Sequence, residues 1–175
     1  MRDFSSSNTA HVGPLEGQAL RMPEAQLITR KVSSEQTGGA YSLFEVAVES
    51  KGSSQPHIQH REDECFYVLE GEFEFLIEGA TIEAGPGSLI YVPRGNLHAH
   101  RNVGEESAKM LVTQTPGGLY ERFFEEVGEP KTDRPTLPVS EKPLDVEAVI
   151  AIAAQYGIEM IPPASAGELD GKDSR

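Results

Sequence analysis

Apolar and polar residues alternate with a period of two through the middle of the chain. Ser42, Phe44, Val46 and Val48 share one parity, while Tyr41, Leu43, Glu45 and Glu49 take the other. Side chains of an extended strand point to opposite faces in turn, so this pattern predicts a half-buried strand. Phe66 and Val68 share the parity of Glu64, and after Gly71 the residues Phe73, Phe75 and Ile77 alternate with Glu72, Glu74 and Glu78. Further strands are expected over Ser88 to Val92, closed by Pro93 and Gly95, and over Ala108 to Thr115, the last strand of the series. Glycine and proline turn signals recur about every 8–12 residues, the spacing of an all-β sandwich or barrel.

The flanks differ. Residues 1 to about 24 have no clear period and read as a loose arm, and a short strand-prone run with Leu27, Ile28 and Val32 follows. After Pro116, Leu119, Tyr120, Phe123, Phe124 and Val127 recur at helical spacing and predict a short amphipathic helix. The proline-rich stretch 128–143 reads as a strap, and Asp145 as the N-cap of a helix running to about Tyr156 and stopped by Gly157. The expected organisation is one domain over residues 1–175: an arm at 1–25, a barrel at about 26–116 and a packed C-terminal extension at 117–175. No repeat with a period of about 20–50 residues suggests a duplicated barrel.

Composition narrows the partners. With 15 basic and 28 acidic residues, the net charge of −13 argues against nucleic acid, which demands a basic patch. The single cysteine, Cys65, excludes an intramolecular disulfide and fits a reducing compartment; its parity, opposite to Glu64, suits packing better than nucleophilic chemistry. The start is polar and serine-rich, without the order of a secretion signal, and no apolar run nears the roughly 18 residues of a membrane span. A soluble, cytoplasmic protein is expected, without membrane contact. Open sheet edges make a homodimer the expected assembly.

Chemistry concentrates in two histidine-bearing segments. The first runs from Gly52 through Pro56, His57, Ile58, Gln59 and His60 to Glu64 and Gly71. The second contains Gly87, Pro93, Gly95, His98, His100 and Asn102. Imidazoles and a carboxylate offered from strand ends suit one divalent first-row transition metal: Fe, Mn, Ni, Cu or Zn.

These segments resemble the paired motifs of the cupin superfamily. Gly87, Pro93, Gly95, His98 and Asn102 match its second motif throughout, and Glu64 with Gly71 matches the end of its first. The likeness covers about residues 26 to 116, and Arg61 to Gly71 is similar to small single-domain cupins of the quercetin-dioxygenase-like kind. It implies a cupin double-stranded β-helix, or jelly-roll, barrel with a short C-terminal helical extension, holding a metal inside. It further implies His57, Glu64 and His98 as ligands, and Glu64 as both ligand and catalytic proton acceptor.

One departure concerns the fourth ligand. The family's first motif has two histidines separated by one residue, and here Gln59 stands at that spacing from His57. Strand parity turns Gln59 inward with His57 and His60 outward, whereas a local bulge would swing His60 in. His100 shares the parity of His98 and is read as a further ligand or a hydrogen-bonding neighbour of the centre. Phe44, Phe66, Phe73 and Phe75 are expected in the core, with a flat ligand's pocket as the alternative. The resulting expectation is a metal-dependent enzyme acting on a small aromatic or oxygenated molecule with dioxygenase-like chemistry. The alternatives are a non-redox isomerase, lyase or cyclase, and a small-ligand-binding module without catalysis.

Overall fold

The structure, a computed structural model, describes residues 9–130 and 145–162. Two antiparallel sheets face each other. The larger contains β1 (Gln18–Met22), β2 (Gln26–Val32), β3 (Ser42–Val48), β5 (Asp63–Glu70), β8 (Leu89–Val92), β10 (Ala108–Thr115) and β11 (Glu129–Pro130), in the order β11-β1-β2-β3-β10-β5-β8. The smaller contains β4 (His57–Gln59), β6 (Phe73–Ile77), β7 (Ala80–Ala84), β9 (Leu97–Asn102) and β12 (Ile158–Met160), in the order β12-β4-β9-β6-β7. Two helices follow the main strands, α1 (Leu119–Val127) and α2 (Val146–Gln155). This is the all-β jelly-roll barrel with a helical extension that the sequence implies.

The period-two segments sit as expected. Along β3, Ser42, Phe44, Val46 and Val48 are buried and the residues between them are half-buried. The expected core aromatics Phe44, Phe66, Phe73 and Phe75 are all at most 2% exposed. They interlock with Val48, Val68 and Met110 between the sheets, where hydrophobic burial supplies most of the driving force. Gly71 allows the β5–β6 turn: its φ is +79°, and a Cβ there would meet the Ala108 Cβ at 2.5 Å.

Two expectations require correction. Residues 18–22, read as part of a loose arm, form β1, which pairs with β2 throughout and with β11. The signal was missed because Ala19 and Leu20 are both buried, which breaks the alternation. Thr115 is also not the end of the strands: β11 extends the large sheet and β12 the small one, each too short to carry a pattern. The start of the expected arm, residues 1–8, and most of the expected strap, residues 131–144, lie outside the described residues. The second helix starts where expected, with the Asp145 carboxylate accepting from the Ala148 N–H at 3.0 Å, and Gly157 at φ +76° ends it. Among the described residues no helix is long and apolar enough to cross a membrane.

Candidate metal centre

The two sheets meet chemically at one point. From the small sheet, His57 on β4 lies directly opposite His98 on β9 in the strand register, and their ring centroids are 4.3 Å apart. From the large sheet, Glu64 on β5 reaches across, its Oε2 2.6 Å from His98 Nε2 and 3.8 Å from His57 Nε2. All three residues are at most 3% exposed. One ligand atom from each can be chosen so that all lie within 4.8 Å of one another.

Backbone carbonyls orient both rings. His57 Nδ1–H donates to Gln55 O at 2.8 Å, and His98 Nδ1–H donates to Asn96 O at 3.0 Å. That turns each Nε2 toward the carboxylate, the arrangement by which metal-binding imidazoles are held. Glu64 Oε1 accepts from Gln114 Nε2 at 3.1 Å, an amide supplied by the neighbouring strand β10. Burial would raise the Glu64 carboxyl, but the imidazoles of His57 and His98 outweigh it and hold the group below the usual carboxylate range. Burial opposes charging of His98, and the Glu64 carboxylate beside it outweighs that and raises the imidazole above its ordinary value.

The other expected residues separate clearly. Gln59 is 3% exposed on the same face of β4 as His57, and neither atom of its amide has a partner among the described residues. An orphaned buried amide is costly unless something else satisfies it. His60 points outward, half exposed, and its Nε2 lies 2.9 Å from the Glu159 carboxylate. No bulge turns it inward. His100 is buried among the rings of Phe66, Phe73 and Phe75, and among the described residues neither ring nitrogen has a partner. Burial pushes its imidazole down to about 3, so the ring is neutral. It stands outside the three-residue cluster of His57, Glu64 and His98. Asn102, matched as a motif residue, serves the backbone: its Nδ2 donates to Val48 O, Glu49 O and Glu106 O, and its Oδ1 accepts from Gly104 N.

Sequence reasoning missed Tyr120. Its hydroxyl donates to His57 Nε2 at 3.2 Å, and its ring stacks on the imidazole. Burial, followed by the nearby Glu64, raises this phenol well above its ordinary range, so it stays protonated. Glu62 places it: both carboxylate oxygens accept from the first helical N–H groups, Leu119 at 2.8 Å and Tyr120 at 2.8 Å. A carboxylate at a helix N-terminus satisfies orphan donors and meets the positive end of the dipole. Gln114 was missed as well, although a polar side chain at an inward position of an apolar strand is a readable signal.

A cavity of about 80 Å³ adjoins the cluster. His57, Glu64, His100 and Tyr120 are among the residues that line it, with Phe66, Phe123 and Phe124 in its apolar part. The donor set of two oriented imidazoles and one carboxylate fits a divalent first-row metal.

A jelly-roll barrel with an interior His–Glu–His cluster belongs to a definite class, and the comparisons agree. Residues 44–114 match the family model described as Cupin domain. Those residues form a cupin domain. The chain is 34% identical over 74 residues to quercetin 2,3-dioxygenase of Bacillus subtilis, covering 42% of this chain and 21% of that one. It spans about half or less of the length of the first curated relatives it matches. Among solved structures, the polyketide cyclase RemF of Streptomyces resistomycificus is 25% identical with a TM-score of 0.54, covering 77% of this chain and 89% of that one. A predicted oxalate decarboxylase of Thermotoga maritima has a TM-score of 0.57 at 19% identity, covering 61% of this chain and 98% of that one, a likeness of fold alone.

Proposed function

We propose that the chain is a mononuclear metalloenzyme acting on a small oxygen-bearing molecule, with His57, Gln59, Glu64 and His98 as the metal ligands. The observation that carries this reading is the convergence of His57 Nε2, His98 Nε2 and Glu64 Oε2, with both Nδ1–H groups committed to backbone carbonyls. A divalent transition metal there would supply Lewis acidity toward a substrate oxygen and, if redox-active, access to molecular oxygen. Glu64 lines the cavity as an ionised carboxylate and is the proton acceptor for a substrate proton, with Gln114 steadying its Oε1. Tyr120, its hydroxyl released from His57 when that lone pair is taken, is a hydrogen-bond donor to the bound molecule. Phe66, Phe123 and Phe124 exclude water from one side.

The first reading is dioxygenase-like oxidoreduction, supported by the likeness to quercetin 2,3-dioxygenase. Gln59 favours a second, non-redox reading as a lyase, isomerase or cyclase, because a neutral amide donates less electron density than the imidazole usual at that spacing. Metal analysis of the purified chain and its Glu64→Gln variant tests the centre. The expected result is about one metal per wild-type chain and a loss of at least tenfold in affinity in the variant. A wild-type chain without metal affinity would leave only a ligand-binding module. Oxygen uptake with small oxygenated substrates then divides the two readings: a metal-loaded chain that consumes none belongs to the second.

A further inference from the structure

The cavity beside the cluster has a second acid in its wall. Glu24 lines it from the turn that joins β1 to β2. Its backbone is left-handed at φ +62°, and that of Ala25 at φ +60°, a conformation that residues with a Cβ disfavour. Gln55, which lines the cavity as well, donates from Nε2 to Glu24 Oε1. Among the described residues no donor holds Oε2, and no cationic side chain pairs with the group. Burial therefore pushes the Glu24 carboxyl above its ordinary 4.5, and the Gln55 bond offsets only part of that. The Glu24 charge also reaches the Tyr120 phenol and helps to raise it. Glu24 is half-buried where Glu64 is buried, so Glu24 stands on the solvent side of the cavity.

The two ends then differ in sign. A divalent metal on His57, Gln59, Glu64 and His98 sets two positive charges against one carboxylate, so the inner end is net positive and welcomes an anionic oxygen. The outer end has Glu24, and no lysine or arginine lines the cavity to neutralise it. The rings of Tyr120, Phe123 and Phe124 in the wall keep the surroundings weakly polar, which strengthens both fields, and aromatic rings attract organic cations. We propose that the cavity takes a small zwitterion, its anionic oxygen directed to the metal and its protonated or methylated amine paired with Glu24. This deepens the metalloenzyme reading of the same site and rests on it for the inner end. Glu24 is on this view a substrate-recognition residue. A plain carboxylate would reach the metal but leave Glu24 unpaired.

The test uses the full chain loaded with zinc, its stoichiometry measured first. Two probes of one shape are titrated by calorimetry: glycine betaine, and 3,3-dimethylbutanoate, in which a neutral carbon replaces the cationic nitrogen. Betaine is expected to bind about 5- to 50-fold tighter, the worth of one partly screened charge pair. Glu24→Gln is expected to keep the zinc stoichiometry and to abolish that preference, by weakening betaine and not the neutral-headed probe. In the wild-type chain the Glu24 ¹³Cδ signal is expected to shift with betaine alone, which decides the matter if the variant does not fold. Betaine bound no tighter than its isostere, a preference that survives Glu24→Gln, or a Glu24 signal unmoved at saturating betaine would each overturn the proposal. A wild-type chain that holds no zinc counts against the metal reading instead. Choline against its neutral isostere 3,3-dimethylbutan-1-ol, titrated into the metal-free chain and read on the same Glu24 signal, then judges the outer end separately.

Discussion

His57 Nε2 has one lone pair and two claimants. In the structure it accepts a hydrogen bond from the Tyr120 hydroxyl at 3.2 Å, and the proposed centre assigns the same lone pair to the metal. Tyr120→Phe removes the competitor while keeping the ring that stacks on the imidazole. Metal affinity is expected to rise about 2- to 10-fold, the worth of one net hydrogen bond, in a zinc competition against a chromogenic chelator. A weaker affinity would mean that His57 is not a ligand through Nε2. Gln114 acts in the opposite direction. Its amide fixes Glu64 Oε1 at 3.1 Å from a fully buried position. Gln114→Leu keeps the approximate volume, frees the carboxylate to rotate and is expected to cost about 10- to 100-fold in zinc affinity. Equal affinity in this variant would show that the strand, and not the amide, orients Glu64.

Helix α1 couples the sheets to the site, and buried acids at its first turn hold it there. Glu62 caps its N-terminus, while Glu121 accepts from Arg30 Nη1, the Ser34 N–H and the Ser42 hydroxyl, each at 2.8 Å. Burial would raise the Glu121 carboxyl, but these donors outweigh it and the group lies below its usual value of 4.5. The folded chain therefore binds this proton more weakly than the unfolded chain. The resulting stability is fully present above about pH 4.5 and drains away as pH falls through the lower folded value. Glu121→Gln is expected to cost about 1–3 kcal/mol at pH 7 and to flatten the acid limb of the stability curve, measured by urea denaturation from pH 3 to 7. Parallel acid limbs in the two proteins would rule this out. How legible such elements were depends on what their side chains do. Strands β3, β5, β6 and β10 could be read because one face is buried and the other is not. His57, Glu64 and His98 could be read because a metal-type donor set recurs at fixed spacing around turn glycines. Tyr120 could not, because a tyrosine in an apolar helical stripe has the same pattern whether it fills space or bonds an imidazole. His60 and Gln59 were divided by strand parity, which the three-residue strand β4 obeys.

At the scale of the molecule, the C-terminal extension is part of the barrel and not an ornament on it. Strand β12 pairs with β4, setting Ile158 opposite Gln59 and Met160 opposite His57, so the strand carrying half of the proposed ligands has β12 as its outer neighbour. Ala153 and Ile158 are at most 2% exposed in the common core, and Val149 with Met160 lines the cavity. Ending the chain after residue 144 strips β4 of that pairing and opens the cavity wall. Losing Ile158 alone removes about 1.5–3 kcal/mol of burial. At about 2–4 °C per kcal/mol for a chain of this size, the melting temperature should fall by at least about 3 °C. The loss should also show in function. A ligand that binds only the folded form raises the melting temperature according to its affinity, so the zinc-induced increase in the truncated chain should be smaller than in the full one. Differential scanning calorimetry with and without zinc reads both effects together. A truncated chain that melts lower but keeps the full zinc increment would make the extension a stabiliser of the sheet alone, and the metal centre would then be complete without β12.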